Sequence, residues 1–418
     1  MMGDPVNDST APGQLVPGSG PVPPAMGDPV NDSTAPGQLV RGSGPVPPAM
    51  GEPVNESTIR RAPKSLLHDH LDGGLRPDTI LEIADEIGHQ LPAADGRGLS
   101  EWFVAGARAR DINRYLATFE HTVAVMQRPG DLHRVAREAV LDLADDGVVY
   151  AETRFAPENH QQGGMSLDEV MESVLAGLDR GISDVESSGR AIDVNLIVCA
   201  MRQTDRSTEI AELVTRWRDL DPRVVGFDLA GPETGFPPTD HLAATDLVRR
   251  NLVHLTIHAS EPPGTELISQ ALFCGAERIG HGIRLLDDIG TGPEGEPRLG
   301  PLARYVLDRQ IPLEMAPSCH VQIGAVDSLE DHPLVQWHRM GFVVTVNTDN
   351  RLMSEVTVSS ETAALARIHG LGWRELGELA VAGVRASFAP LERRREIVED
   401  LMVPAYSALA GGDTDLGR

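Results

Sequence analysis

An α/β fold, specifically a TIM-type (β/α)8 barrel with extra helices, is what this sequence of 418 residues predicts. Three observations carry that expectation. Short hydrophobic runs alternate with helix-patterned stretches eight times from Lys64 onward, and eight such units over about 340 residues is the size of a closed barrel with insertions. The glycine-rich turn that an open nucleotide-binding sheet places after an early strand is missing. Finally, the polar residues with chemical potential stand at the C-terminal ends of the runs, where barrel sites are built.

In chain order, Ser65 to His70 reads as a strand, followed by Gly73-Gly74 for a sharp turn and by Pro77-Asp78 for a helix start at Thr79. Residues 99–127 read as two or three helical pieces, and 131–146 as an amphipathic helix. Val148 to Phe155 reads as a strand stopped by Pro157. A helix near 166–181, a strand from Ala191 to Ala200, a helix near 205–218 and a strand from Val224 to Gly231 follow. Then come a helix near 240–250, a strand Leu252 to His258, a short helix Ile268 to Cys274 and a strand Arg278 to Gly282. The alternation ends with a helix near 299–309, Ile311 to Met315, a helix near 332–340, Phe342 to Asp349, and helices over 359–406.

Ahead of the barrel, residues 2–25 recur at 26–49 with one change, Pro17 to Arg41, and a third copy begins at Met50. Each 24-residue unit is rich in Pro, Gly, Ser and Asp and lacks apolar periodicity, so it cannot bury enough surface to offset its ordering entropy. The expected organisation is a disordered repeat over 1–58, the barrel over 59–408 and a frayed tail over 409–418. Translation from Met50 or nearby is a simple alternative start.

Lys plus Arg number 36 against 62 Asp plus Glu, a formal charge of -26. That balance argues against a nucleic-acid or anionic-membrane surface. Three cysteines, Cys199, Cys274 and Cys319, form no disulfide framework. With no apolar span of transmembrane length and no secretory signal, the cytoplasm is the expected compartment.

The chemistry is expected where strand ends meet. Alternation places Leu66, His68 and His70 on one face of the first strand. His258 shares a face with His254 and Thr256, and Asp349 with Thr345 and Asn347. Three imidazoles and a carboxylate are a zinc-type ligand set that leaves room for water. Zinc would make hydroxide available near neutral pH. Glu261, three residues after His258, suits a proton carrier, and His281 between Gly280 and Gly282 adds a polar group beside the water.

His68-Asp69-His70-Leu71-Asp72-Gly73, Gly226 to Glu233, His258-Ala259-Ser260-Glu261, Arg278 to Gly282 and Thr348-Asp349 together resemble the adenosine and AMP deaminase family of metal-dependent hydrolases, the bacterial adenosine deaminases most of all. The resemblance spans roughly residues 60–405. It implies one Zn2+ per chain on His68, His70, His258 and Asp349. It implies that Glu261 protonates N1 of the purine and that His281 orients the attacking hydroxide. Gly231 would meet the purine N3 and Asp72 the ribose 5′-hydroxyl. The reaction implied converts adenosine or 2′-deoxyadenosine to inosine and ammonia, with a small-molecule purine nucleoside as the only partner and neither nucleic acid, membrane nor an obligate protein partner.

The chain also departs from the family pattern. Ser260 stands for a glycine and Pro262-Pro263 follow; Asn350 stands for a second aspartate, facing purine N7; and Ala316-Pro317-Ser318-Cys319-His320 replaces Cys-Pro-Thr/Ser-Ser-Asn. These changes leave two alternatives: a deaminase of a modified purine nucleoside or other aminated heterocycle, and a metal-containing binding protein without catalysis.

Overall fold

A computed structural model describes residues 51, 53–110, 112–259, 262–412 and 416. The repeat over residues 1–50 lies outside the described residues, as do Ser260 and Glu261.

Eight parallel strands run β1 (Lys64–His70), β2 (Val148–Phe155), β3 (Asp193–Met201), β4 (Val224–Ala230), β5 (His254–Ala259), β6 (Arg278–His281), β7 (Leu313–Met315) and β8 (Val344–Val346). They are hydrogen-bonded in that order. Each is followed by helix, and the helices cover the outside, so the strands are buried on both faces. The longest pair, Pro129–Asp145 and Leu167–Ser187, flank β2. Ser166 caps the second through a reciprocal capping box with Glu169. Among the described residues no helix is long and apolar enough to cross a membrane.

The barrel is nearly closed. β8 ends at Val346, three residues short of the run read from the sequence, so its ladder does not continue along β1. A single bridge pairs Asp69 with Asp349. There the Asp349 amide donates to the His68 carbonyl at 3.0 Å and the His70 amide to the Asp349 carbonyl at 2.8 Å. The Asn347 side-chain oxygen accepts from the Leu67 and His68 amides, at 2.9 and 3.1 Å. A side chain thus takes the place of ladder carbonyls, which satisfies amides that burial would otherwise strand.

At the N-terminal end the barrel is plugged by Phe388, which follows the helix Trp373–Ala386. Its ring stacks on His254 at 4.7 Å and lies 3.5 Å under the Arg278 guanidinium. Gly226 makes room for it, since a Cβ there would sit 2.9 Å from the ring. The stretch read as two or three helical pieces over 99–127 forms three, Gly96–Ala107, Ile112–Ala117 and Phe119–Ala124. The hairpin Ile289–Thr291 with Pro297–Leu299 has no counterpart in the sequence reading, because its short Gly/Pro/Glu-rich strands carry no alternation.

Candidate metal centre and active site

The C-terminal ends of β1 and β5 and the residues just past β8 bring His68, His70, His258 and Asp349 together. One ligand atom from each lies within 4.8 Å of all the others. His70 Nε2 is 3.2 Å from His258 Nε2, and Asp349 Oδ1 is 3.4 Å from Nε2 of both His68 and His70. Zinc–nitrogen bonds of about 2.05 Å set tetrahedral ligand edges of about 3.3 Å. His68 Nε2 is buried without a hydrogen-bond partner. A buried lone pair aimed at three other ligand atoms is what a divalent cation satisfies, so the donor set fits a metal.

Behind the imidazoles, carboxylates fix their orientation. His68 Nδ1 donates to Glu314 on β7 at 2.8 Å, and His258 Nδ1 donates to Asp228 on β4 at 2.9 Å. Both histidines therefore present Nε2 to the centre. Arg154 of β2 donates to Asp228 at 2.8 Å and to Glu314 at 2.7 Å. Arg278 joins Glu314 to Glu152, each at 2.6 Å. All five of these charged groups are buried. Burial alone would raise the Asp228 and Glu314 carboxyls. Instead, Arg154, with His258 at Asp228 and Arg278 at Glu314, holds both below the usual carboxylate range. Burial and neighbouring cations push His68 and His70 well below the ordinary histidine value, leaving their lone pairs free for a metal. His258 is raised, because Asp228 outweighs its burial.

Above the centre opens a cavity of about 220 Å³, room for a small molecule rather than a polymer. His70, His258, His281 and Asp349 line it, together with Asp72, Gly231 and Asn350. The helices Ile112–Ala117 and Phe119–Ala124 supply Tyr115, Leu116 and Phe119. Asp72 is buried with Oδ1 unpaired, and burial raises its carboxyl to about 7. Gly231 has φ of 91°, a left-handed backbone that favours glycine. Asn350 Nδ2 donates to the Tyr115 hydroxyl at 2.6 Å, while its Oδ1 is buried and unpaired.

The family model described as adenosine deaminase matches residues 63–404. This chain belongs to the adenosine deaminase family. It is 50% identical over 355 residues to an adenosine deaminase of Mycolicibacterium vanbaalenii, covering 84% of this chain and 98% of that one. It is 49% identical over 356 residues to one of Mycobacteroides abscessus, covering 85% and 98%. Among solved structures it superposes on an adenine deaminase from Arthrobacter aurescens with a TM-score of 0.69 at 26% identity, over 81% of this chain and 98% of that one. It matches an Arabidopsis N6-mAMP deaminase with the same TM-score, 0.69, at 26% identity, over 82% and 98%.

Of the residues singled out from sequence in this family member, His68, His70, His258 and Asp349 converge, and His281, Asp72, Gly231 and Asn350 surround one cavity. Glu261 falls outside the described residues. Sequence reasoning missed Arg154, Arg278, Glu152, Glu314 and Tyr115. A signal existed for the first four: they are charges inside apolar strands whose outer faces helices cover, so they had to point inward. Tyr115 had none, since a tyrosine in a helix reads as ordinary packing.

Proposed function

We propose that this protein is a zinc-dependent adenosine deaminase that hydrolyses adenosine and 2′-deoxyadenosine to inosine and ammonia on a TIM-type (β/α)8 barrel. The observation that carries this reading is the convergence of His68, His70, His258 and Asp349, the last three lining a small-molecule cavity, in a chain half identical to named adenosine deaminases. Zinc, one per chain, would hold the four ligands and lower the pKa of a water.

The chain's own residues do the rest. The buried cavity excludes bulk water and strengthens every polar contact inside. The Gly231 amide meets the purine N3, and Asp72 holds the ribose 5′-hydroxyl. Asn350 offers an amide hydrogen to N7, which an ionised carboxylate could not. Glu261 passes a proton to N1 and so lets the ring accept electron density at C6. His281 sits beside the attacking oxygen and stabilises its charge.

Ammonia release from purified, zinc-analysed protein tests the reading against a panel of nucleosides, nucleotides and free bases. Adenosine is expected to be the best substrate. Glu261→Gln is expected to retain zinc and lose activity by 10²-fold or more, on the order seen when a general acid–base is removed. Turnover of adenine or of N6-substituted nucleotides, but not adenosine, would defeat it.

A further inference from the structure

His320 and His332 lie outside the cavity wall, yet they extend a row of imidazoles inward from His281. His281 Nδ1 is 3.1 Å from His320 Nε2, and His320 Nδ1 is 2.8 Å from His332 Nε2. The Leu334 backbone amide ends the row, donating to His332 Nδ1 at 3.3 Å. All three rings are buried.

Each contact between two ring nitrogens needs one donor and one acceptor, and a protonated imidazole offers no acceptor, so a ring that gives through one nitrogen and receives through the other is neutral. Burial lowers His332 to about 3 and takes His320 well below its ordinary value, in keeping with that. Two proton arrangements satisfy the contacts between the rings. Only one satisfies the end of the row, because the Leu334 N–H already occupies the lone pair of His332 Nδ1. The His332 proton is then on Nε2 and is given to His320 Nδ1. The His320 proton is on Nε2 and is given to His281 Nδ1. The reverse arrangement would set two donors face to face at Leu334 and leave both buried groups without an acceptor.

We propose that His320 and His332 are positioning residues that lock His281 in its Nε2–H tautomer. His281 then meets the attacking oxygen as a hydrogen-bond donor and cannot serve as the base that removes its proton. That proton must go to another group, for which Glu261 is available. The inference rests on the proposed deamination for its catalytic meaning, but the tautomer itself is a property of the protein alone.

Long-range proton–nitrogen spectra of the zinc-loaded protein with 15N-labelled histidine read the tautomers directly. Nε2–H is expected at His281, His320 and His332, and Nδ1–H at His281 overturns the proposal whatever the substrate proves to be. Two variants then test the consequence. In His320→Gln the amide reaches the position of the lost Nε2 and can donate to His281, so kcat should stay within about tenfold of wild type. In His320→Glu the carboxylate only accepts, which draws the His281 proton to Nδ1. There kcat should fall by up to about 10⁴-fold, on the order of a wrong catalytic tautomer, with KM within about threefold and zinc content unchanged. Equal activity of the two variants, both zinc-loaded and folded, would also overturn it. If adenosine is not turned over at all, the proposed function fails while the spectra still decide the tautomer.

Discussion

His281 and Asp349 both hold left-handed backbones without being glycine, at φ of 62° and 57°. Such conformations cost about 1–3 kcal/mol each and persist only where surroundings over-determine them. For Asp349 the surroundings are the two hydrogen bonds to β1 that place its carboxylate beside His68 and His70. Glu361 shows a different local tension. It is buried, accepts from the Ser318 amide at 3.1 Å, and has one oxygen unpaired. Burial raises its carboxyl from 4.5 to about 7. A raised folded-state value means that the protonated form favours folding: its contribution is complete below pH 4.5 and lost as pH rises through about 7. Glu361→Gln keeps the acceptor and removes the charge. Its melting temperature should exceed that of wild type at pH 8 and match it near pH 4.5, with a gain of up to about 3 kcal/mol. Scanning calorimetry across that range checks it, and an equal pH slope in both proteins would count against it.

At the scale of elements, the strands were legible because their apolar runs are bounded, and each of the eight runs read as a strand contains one, though the last two are shorter than read. The end of β8 was not legible. Alternation extended to Asp349 predicts a regular strand, but the strand stops at Val346 and the chain reaches Asp349 through irregular backbone held by Asn347. The charged barrel interior is the second element-scale feature. Arg154 joins Asp228 of β4 to Glu314 of β7, and these orient His258 and His68. Arg154→Met should leave two buried carboxylates without their shared cation and destabilise the fold by about 3–5 kcal/mol. It should also weaken zinc binding, because both imidazoles lose their rigid backing. Urea unfolding and competition with a zinc chelator measure the two effects; a variant as stable and as tight as wild type would show that the network is dispensable.

Over the whole molecule, the family match begins at residue 63, and the relatives' lengths are covered to 98% by 84% of this chain. The 24-residue repeat, with its third copy over 50–58, lies ahead of the family match. A protein starting at Met50 should keep kcat within about twofold and carry the same zinc, measured by turnover and elemental analysis; loss of either would assign the repeat a role. Zinc removal should act on the molecule in two ways. Activity should disappear and return on adding zinc, and the melting temperature should fall, since a ligand of the native state alone stabilises it.

Composition, hydrophobic alternation and five motifs pointed to the barrel, its family and the four residues that converge as a candidate metal site, because those features depend on residue type and on spacing along one strand. Tertiary structure alone decided what surrounds them: the guanidinium pairs inside the barrel, Tyr115 against Asn350, and the imidazole row behind His281. Those arrangements join residues up to 235 positions apart, as in the contact between Tyr115 and Asn350. Hydrogen bonds between such distant groups leave no period in a sequence, and exist only once the strands have been brought side by side.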